Sequence, residues 1–243
     1  MVVHSGLRGL VVSHLQSAGY VPNEQPTERS QLGSAFCQLL RSDPACAEVV
    51  ELGRRTTPGM DLQEPESIAA AAEALAGAAP FQLMLLATGV LHGPDIQPEK
   101  SLAALDADVL QQVFQVNSIG PALVLRHFLP LLDPGGALAV LSARVGSIAD
   151  NRLGGWYGYR ASKAALNMLL KTAAIEHARK HPQARLLCLH PGTVISPLSQ
   201  PFRGAAAARP ARQAAAELLT VVDNSTAAES GHFYAYDGQA VPW

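Results

Sequence analysis

The sequence predicts an α/β fold: a doubly wound, mostly parallel sheet with helices on both faces. Short apolar runs alternate along the chain with longer stretches of helical apolar spacing. The runs are apolar at most positions rather than at every second residue, as strands covered on both faces require. The length, 243 residues, and a composition 48% hydrophobic and only 16% charged allow a substantial core and exclude a disordered chain.

In chain order, the strand-like runs are Val49–Leu52, Leu83–Ala87, Ala137–Leu141 and Arg185–Leu189. Between them Ser34–Arg41, Glu66–Ala76, Asp108–Leu132 and Ser162–His181 carry helical spacing, and a last helix is expected over Pro210–Val222. Residues 204–208, Gly followed by four Ala, read as a mobile loop before that helix. Residues 1–26 form an atypical, irregular segment, and 27–243 read as a single domain, since neither a repeat nor a linker divides them.

Composition narrows the function classes. The net charge of -2 and the lack of a basic patch give no reason to expect a nucleic-acid partner. Three cysteines without a CxxC pair argue against a disulfide scaffold or a zinc site, and no metal is expected. His92, His127, His177, His181 and His190 show no ligand spacing and read as surface or core residues. No apolar run reaches the roughly 18 residues that span a bilayer. Gly6, Gly9 and Gly19 interrupt the mildly apolar N-terminus, so no targeting role is expected, and the expected compartment is cytoplasmic.

In such sheets ligands bind beyond the C-terminal strand ends. The residues to inspect are therefore Arg54–Arg55, Thr88–Gly89, Ala143–Ser147 and Pro191–Ser196. Trp156 to Lys163 opens a helical pattern, with Tyr159 and Lys163 one turn apart on one face. A nearby ammonium favours a phenolate. Bringing a phenol from about 10 to about 7 corresponds to roughly 4 kcal/mol. The pair alone is weak: an exposed lysine beside a half-buried tyrosine gives the same spacing.

Tyr159-Arg-Ala-Ser-Lys163-Ala-Ala-Leu-Asn is similar to the active-site helix of short-chain dehydrogenases/reductases, in the branch of the C-factor-like and sniffer-like carbonyl reductases. Further matches follow in family order from about Thr27 to Trp243. They are Asn117 in Phe-Gln-Val-Asn-Ser-Ile-Gly-Pro, Pro191-Gly192-Thr-Val194 with Ser196-Pro-Leu, and Gly231 to Gly238 with the terminal Val-Pro-Trp243. The resemblance implies a Rossmann-type fold and hydride exchange between NADP(H), with NAD(H) second, and a small carbonyl or alcohol substrate. It makes Tyr159 the acid/base, and gives Lys163 both the nicotinamide ribose and the lowering of the Tyr159 pKa. Asn117 would support a water-linked proton path through its main chain, and Pro191, Gly192 and Val194 would lie beside the nicotinamide. Tyr157 has Ala161 four residues on and reads as a pocket wall.

Other positions depart from the family pattern. The serine expected to bond the substrate oxygen falls on Ala143. Ser147 is the candidate substitute; the competing reading has it bonding its own loop. Leu86 stands where Leu86-Ala87-Thr88-Gly89 resembles a motif carrying asparagine. The glycine-rich phosphate turn has two placements. One makes Met1–His4 the strand and Gly6-Leu-Arg-Gly9 the turn; the preferred one makes Thr27 to Gly33 the turn, keeping only Gly33. Arg54 and Arg55 would suit the 2′-phosphate of NADP. Asp61 would contact the adenine edge, and Ala87 and Gly89 would permit close cofactor approach. Family analogy implies a homodimer or homotetramer, without nucleic-acid or membrane partners. The second functional reading is a catalytically impaired relative, a signalling or scaffold protein without cofactor turnover.

Overall fold

The computed structural model describes residues 7–12, 30–201 and 208–243. Among these residues six parallel strands form one sheet in the order β2-β1-β3-β4-β5-β6. They are β1 (Leu7–Val12), β2 (Cys46–Leu52), β3 (Phe81–Leu86), β4 (Leu132–Leu141), β5 (Arg185–His190) and β6 (Phe233–Ala235). The helices are α1 (Gln31–Ser42), α2 (Pro65–Leu75), α3 (Ala107–Phe114), α4 (Gly120–Phe128), α5 (Tyr157–Ala178) and α6 (Ala211–Asn224).

Strand alternation builds two cores. Leu83 and Leu85 of β3, Ala137 and Ala139 of β4, and Leu187 and Leu189 of β5 pack with α1 and α6. Met84 and Leu86, Leu138 and Val140, and Leu186 and Cys188 face the opposite layer with α2, α4 and α5. Successive side chains point to opposite faces, so runs apolar at every position are what a sheet buried twice needs.

The N-terminal expectations change. Leu7–Val12, inside the segment expected to be irregular, is a central strand: Val12 is level with Leu52 of β2 and with Leu86 of β3. The Gly6-Leu-Arg-Gly9 turn is therefore not formed, because Gly9 pairs within the ladder. In the other placement, helix α1 already runs from Gln31, so Gly33 is buried in its first turn rather than in a loop. Thr27 and the two residues after it lie outside the described residues, as do Met1–His4 and most of the loop expected over 204–208. The stretch 108–132 is not one α-helix. A π-helical turn, Gln115–Ile119, separates α3 from α4, and Leu132 already belongs to β4. Among the described residues no helix is long and apolar enough to cross a membrane.

Candidate functional site

The carboxyl ends of β3, β4 and β5 open into a cavity of about 460 Å³. Its floor includes Ala87, Thr88 and Gly89 after β3, Ala143 and Arg144 after β4, and His190 to Val194 at the end of β5. Tyr159 and Lys163 enter from the first turns of α5, and Ser30, Gln31 and Leu32 at the start of α1 close another side.

Lys163 is 3% exposed. Its Nζ donates to Leu141 O at 2.9 Å and Thr88 O at 3.4 Å, and lies 6.0 Å from the centre of the Tyr159 ring. Burial pulls this amine down to about 8. Burial likewise pushes the Tyr159 phenol up to about 12. The ammonium thus does not lower the phenol pKa: its protons are directed at two carbonyls, and desolvation dominates both groups. Burial keeps the Tyr159 hydroxyl protonated.

Asn117 is fully buried in the π-helical turn. Its amide clasps Val90, accepting from Val90 N and donating to Val90 O, each at 2.8 Å, and it also donates to Ser162 Oγ at 3.1 Å. The side chain therefore ties the loop after β3 to α5. A Cβ on Gly89 would meet Lys163 Nζ at 3.2 Å and Asn117 Oδ1 at 3.4 Å, so glycine is what lets these groups gather there.

Other expected residues divide. Ala87, Gly89, Pro191, Gly192 and Val194 line the cavity together with Tyr159 and Lys163. Gly192 has φ +70°, with the Arg209 guanidinium and the Tyr236 ring packed against it. Ser147 does not take the place of the missing serine: it is 1% exposed, does not line the cavity, and its hydroxyl accepts from Asp150 N at 3.1 Å. Ser142 is likewise spent, donating to Asn167 Oδ1 at 2.6 Å. Tyr157 lies outside the lining, against expectation. Arg54 and Arg55 follow β2 at the same sheet end, beyond β1 from Ala87, and do not line the cavity. Asp61 precedes α2, its carboxylate accepting from Gln63 N at 2.9 Å. Gly33 donates its N–H to Ser30 Oγ at 3.2 Å, so the residues facing the cavity are its neighbours.

Sequence reasoning missed His190 and Glu99. His190 lines the cavity and accepts from Arg144 N at 3.2 Å through Nδ1. Burial first, then the Arg144 and Arg209 guanidiniums, hold it down at about 4, so it is neutral at physiological pH. Its place directly before Pro191, at a strand end, was the available signal. Glu99 gave none: it is a polar loop residue in sequence and a buried one in the fold.

A family profile described as enoyl-(acyl carrier protein) reductase matches residues 35–240. The 1-hydroxy-2-glutathionyl-2-methyl-3-butene dehydrogenase of a Rhodococcus species is 32% identical over 96% of this chain and 98% of its own. In fold, the carbonyl reductase Sniffer of Drosophila melanogaster superposes with a TM-score of 0.78 at 18% identity, covering 99% of this chain and all of the other. An NADPH-bound carbonyl reductase from chicken fatty liver gives 0.77 at 22% identity, covering 98% of this chain and 99% of its own. With the match running through nearly the whole chain and its fold shared, this protein belongs to the short-chain dehydrogenase/reductase family, a family of oxidoreductases.

Proposed function

We propose that the protein interconverts a carbonyl and an alcohol, with NADP(H) as hydride partner and Tyr159 as acid/base. The observation that carries this reading is one cavity into which Tyr159 and Lys163 project, behind which Asn117 fixes the loop after β3. A nicotinamide half fits the residues present: Ala87, Gly89, Ala143 and Gly192 leave room on the floor, and among the described residues the buried lysine there hydrogen-bonds to two neutral carbonyls. When bound, the dinucleotide supplies or accepts the hydride.

In the reducing direction the Tyr159 hydroxyl donates its proton to the carbonyl oxygen. Burial keeps that hydroxyl protonated across the physiological range, so the proton to be given is present. Lys163 would hold the nicotinamide ribose, and its own low pKa allows it to return a proton to Tyr159. Pro191, Gly192 and Val194 would wall the nicotinamide, with Ala87 and Gly89 opposite. Gly33, within α1, and Asp61 would serve the phosphate and adenine ends. Arg54 and Arg55 would favour the 2′-phosphate. Two solved relatives in fold are NADP(H)-bound, which supports the same preference. Retention of Tyr159, Lys163 and Asn117 around one cavity favours turnover over a signalling or scaffold role.

The test is NADPH oxidation against a panel of aldehydes and ketones, alongside fluorescence titration of NADPH. Tyr159→Phe should lose about 10²- to 10⁴-fold in kcat while NADPH binding is kept. Full activity in that variant would refute the assignment.

A further inference from the structure

We infer that Glu99 is a positioning residue for Tyr159, a buried carboxylate that latches the first turn of α5 from a separate loop. The inference rests on the proposed role of Tyr159.

Helix α5 begins without a cap of its own. Trp156, at the N-cap, makes no side-chain bond to the helix, and the first turn contains no acidic residue. A helix start leaves N–H groups without intrahelical partners and prefers a negative charge nearby. Glu99, before α3, supplies both. Its main-chain O accepts from Trp156 N at 2.5 Å. Its two carboxylate oxygens accept from Gly158 N at 3.2 and 3.1 Å.

The side chain is 6% exposed, and no lysine or arginine among the described residues pairs with it. A buried carboxylate is costly unless it is hydrogen-bonded, and a backbone N–H bonded to a carboxylate is among the stronger hydrogen bonds; Gly158 N supplies it here. Gly158 shows that fit from the other side: a Cβ there would stand 2.8 Å from Glu99 Oε1 and 3.0 Å from Leu110 Cδ2.

The two attachments straddle Tyr157 and end one residue before Tyr159. Trp156, held at φ +54° and ψ +46°, places its ring edge-on to Tyr159 with the centroids 6.2 Å apart. The latch therefore sets where the backbone of Tyr159 leaves the loop and how its ring is buttressed. Displacement of about 1 Å at a reacting group costs about 10²-fold.

The experiment compares Glu99→Ala and Glu99→Gln in the full chain by steady-state kinetics, NADPH titration and amide hydrogen exchange over residues 156–162. Glu99→Ala should lower kcat by about 10²-fold, with NADPH affinity unchanged and faster exchange in that segment. Glu99→Gln retains an acceptor for Gly158 N and should recover most of both. The inference is overturned if Glu99→Ala leaves kcat and exchange as in the wild type, or if the Ala and Gln variants lose NADPH binding and kcat together. Should the Ala variant fail to fold, Glu99→Asp replaces it, since its shorter side chain withdraws the oxygens from Gly158. A wild type that neither binds NADPH nor turns over refutes the proposed function instead, and the exchange of the Ala and Gln variants then still decides whether the latch exists.

Discussion

Replacing Lys163 by methionine should stabilise the ligand-free fold while removing activity. The fall of this amine from its ordinary 10.5 to about 8 corresponds to about 3 kcal/mol, at about 1.4 kcal/mol per pH unit. That is the cost of keeping the ammonium out of water below pH 8. Methionine is of similar length and carries no charge, but it leaves Leu141 O without its 2.9 Å partner, a loss of about 1 kcal/mol. The net gain near pH 7 is then about 2 kcal/mol, or about 4–8 °C in Tm for a chain of this size. The sign of the pH dependence follows from proton counting. Between about 8 and 10.5 the unfolded wild type keeps a proton that the folded form has released, so wild-type stability rises with pH across that window. Tyr159 titrates above it, at about 12. Urea unfolding of both proteins from pH 7 to 10.5 should therefore show the advantage of the variant shrinking as pH rises. A variant less stable than wild type at pH 7, or a difference that ignores pH, would refute the reasoning.

Three further outcomes are expected. Ala143 lines the cavity where the family resemblance implies a serine, so Ala143→Ser should raise kcat/KM for carbonyl substrates by at least about 10-fold; an unchanged value would show that another group already serves. Substituting Arg54 and Arg55 together by alanine should raise KM for NADPH by about 10- to 100-fold, the worth of charged hydrogen bonds, with KM for NADH little changed. Ile119, Met168 and Ile175 are exposed on the turn and helix that carry Asn117 and Tyr159, and a homodimer or homotetramer through these elements is proposed by family analogy. If that assembly forms, Ile175→Glu should lower its mass towards that of the monomer in sedimentation equilibrium, with kcat per chain changed less than the mass.

Much of this arrangement was legible in the residues. The runs at Leu83 and Ala137 are apolar at every position, and the one at Arg185 is apolar from Leu186 to Leu189, because both faces of the sheet are covered, and they announce its centre. Tyr159 and Lys163 declare a shared helical face by spacing alone. What was hidden had physical reasons. The strand Leu7–Val12 carries Arg8 and Gly9 within its apolar run and stands far in sequence from its helix, so the usual strand–turn–helix rhythm is lost. The hydroxyl of Ser147 has a suitable place in sequence, but its direction is decided by an N–H three residues on. The electrostatics of Tyr159 and Lys163 depend on burial and on which carbonyls the amine meets, and neither can be counted from spacing.

The position of β1 bears on how the chain assembles. It is the earliest strand in the sequence, yet it lies between two later ones, so neither of its edges is satisfied until β2 and β3 have been synthesised. On a ribosome the first strand must wait, and the half-sheet of β3 to β6 would meet a ready partner only by closing a long loop. Loss of residues 7–12 would leave β2 without a neighbour and uncover the inner edge of β3, a surface suited to pairing with other chains. Aggregation, rather than mere loss of turnover, is the expected fate of such a truncation.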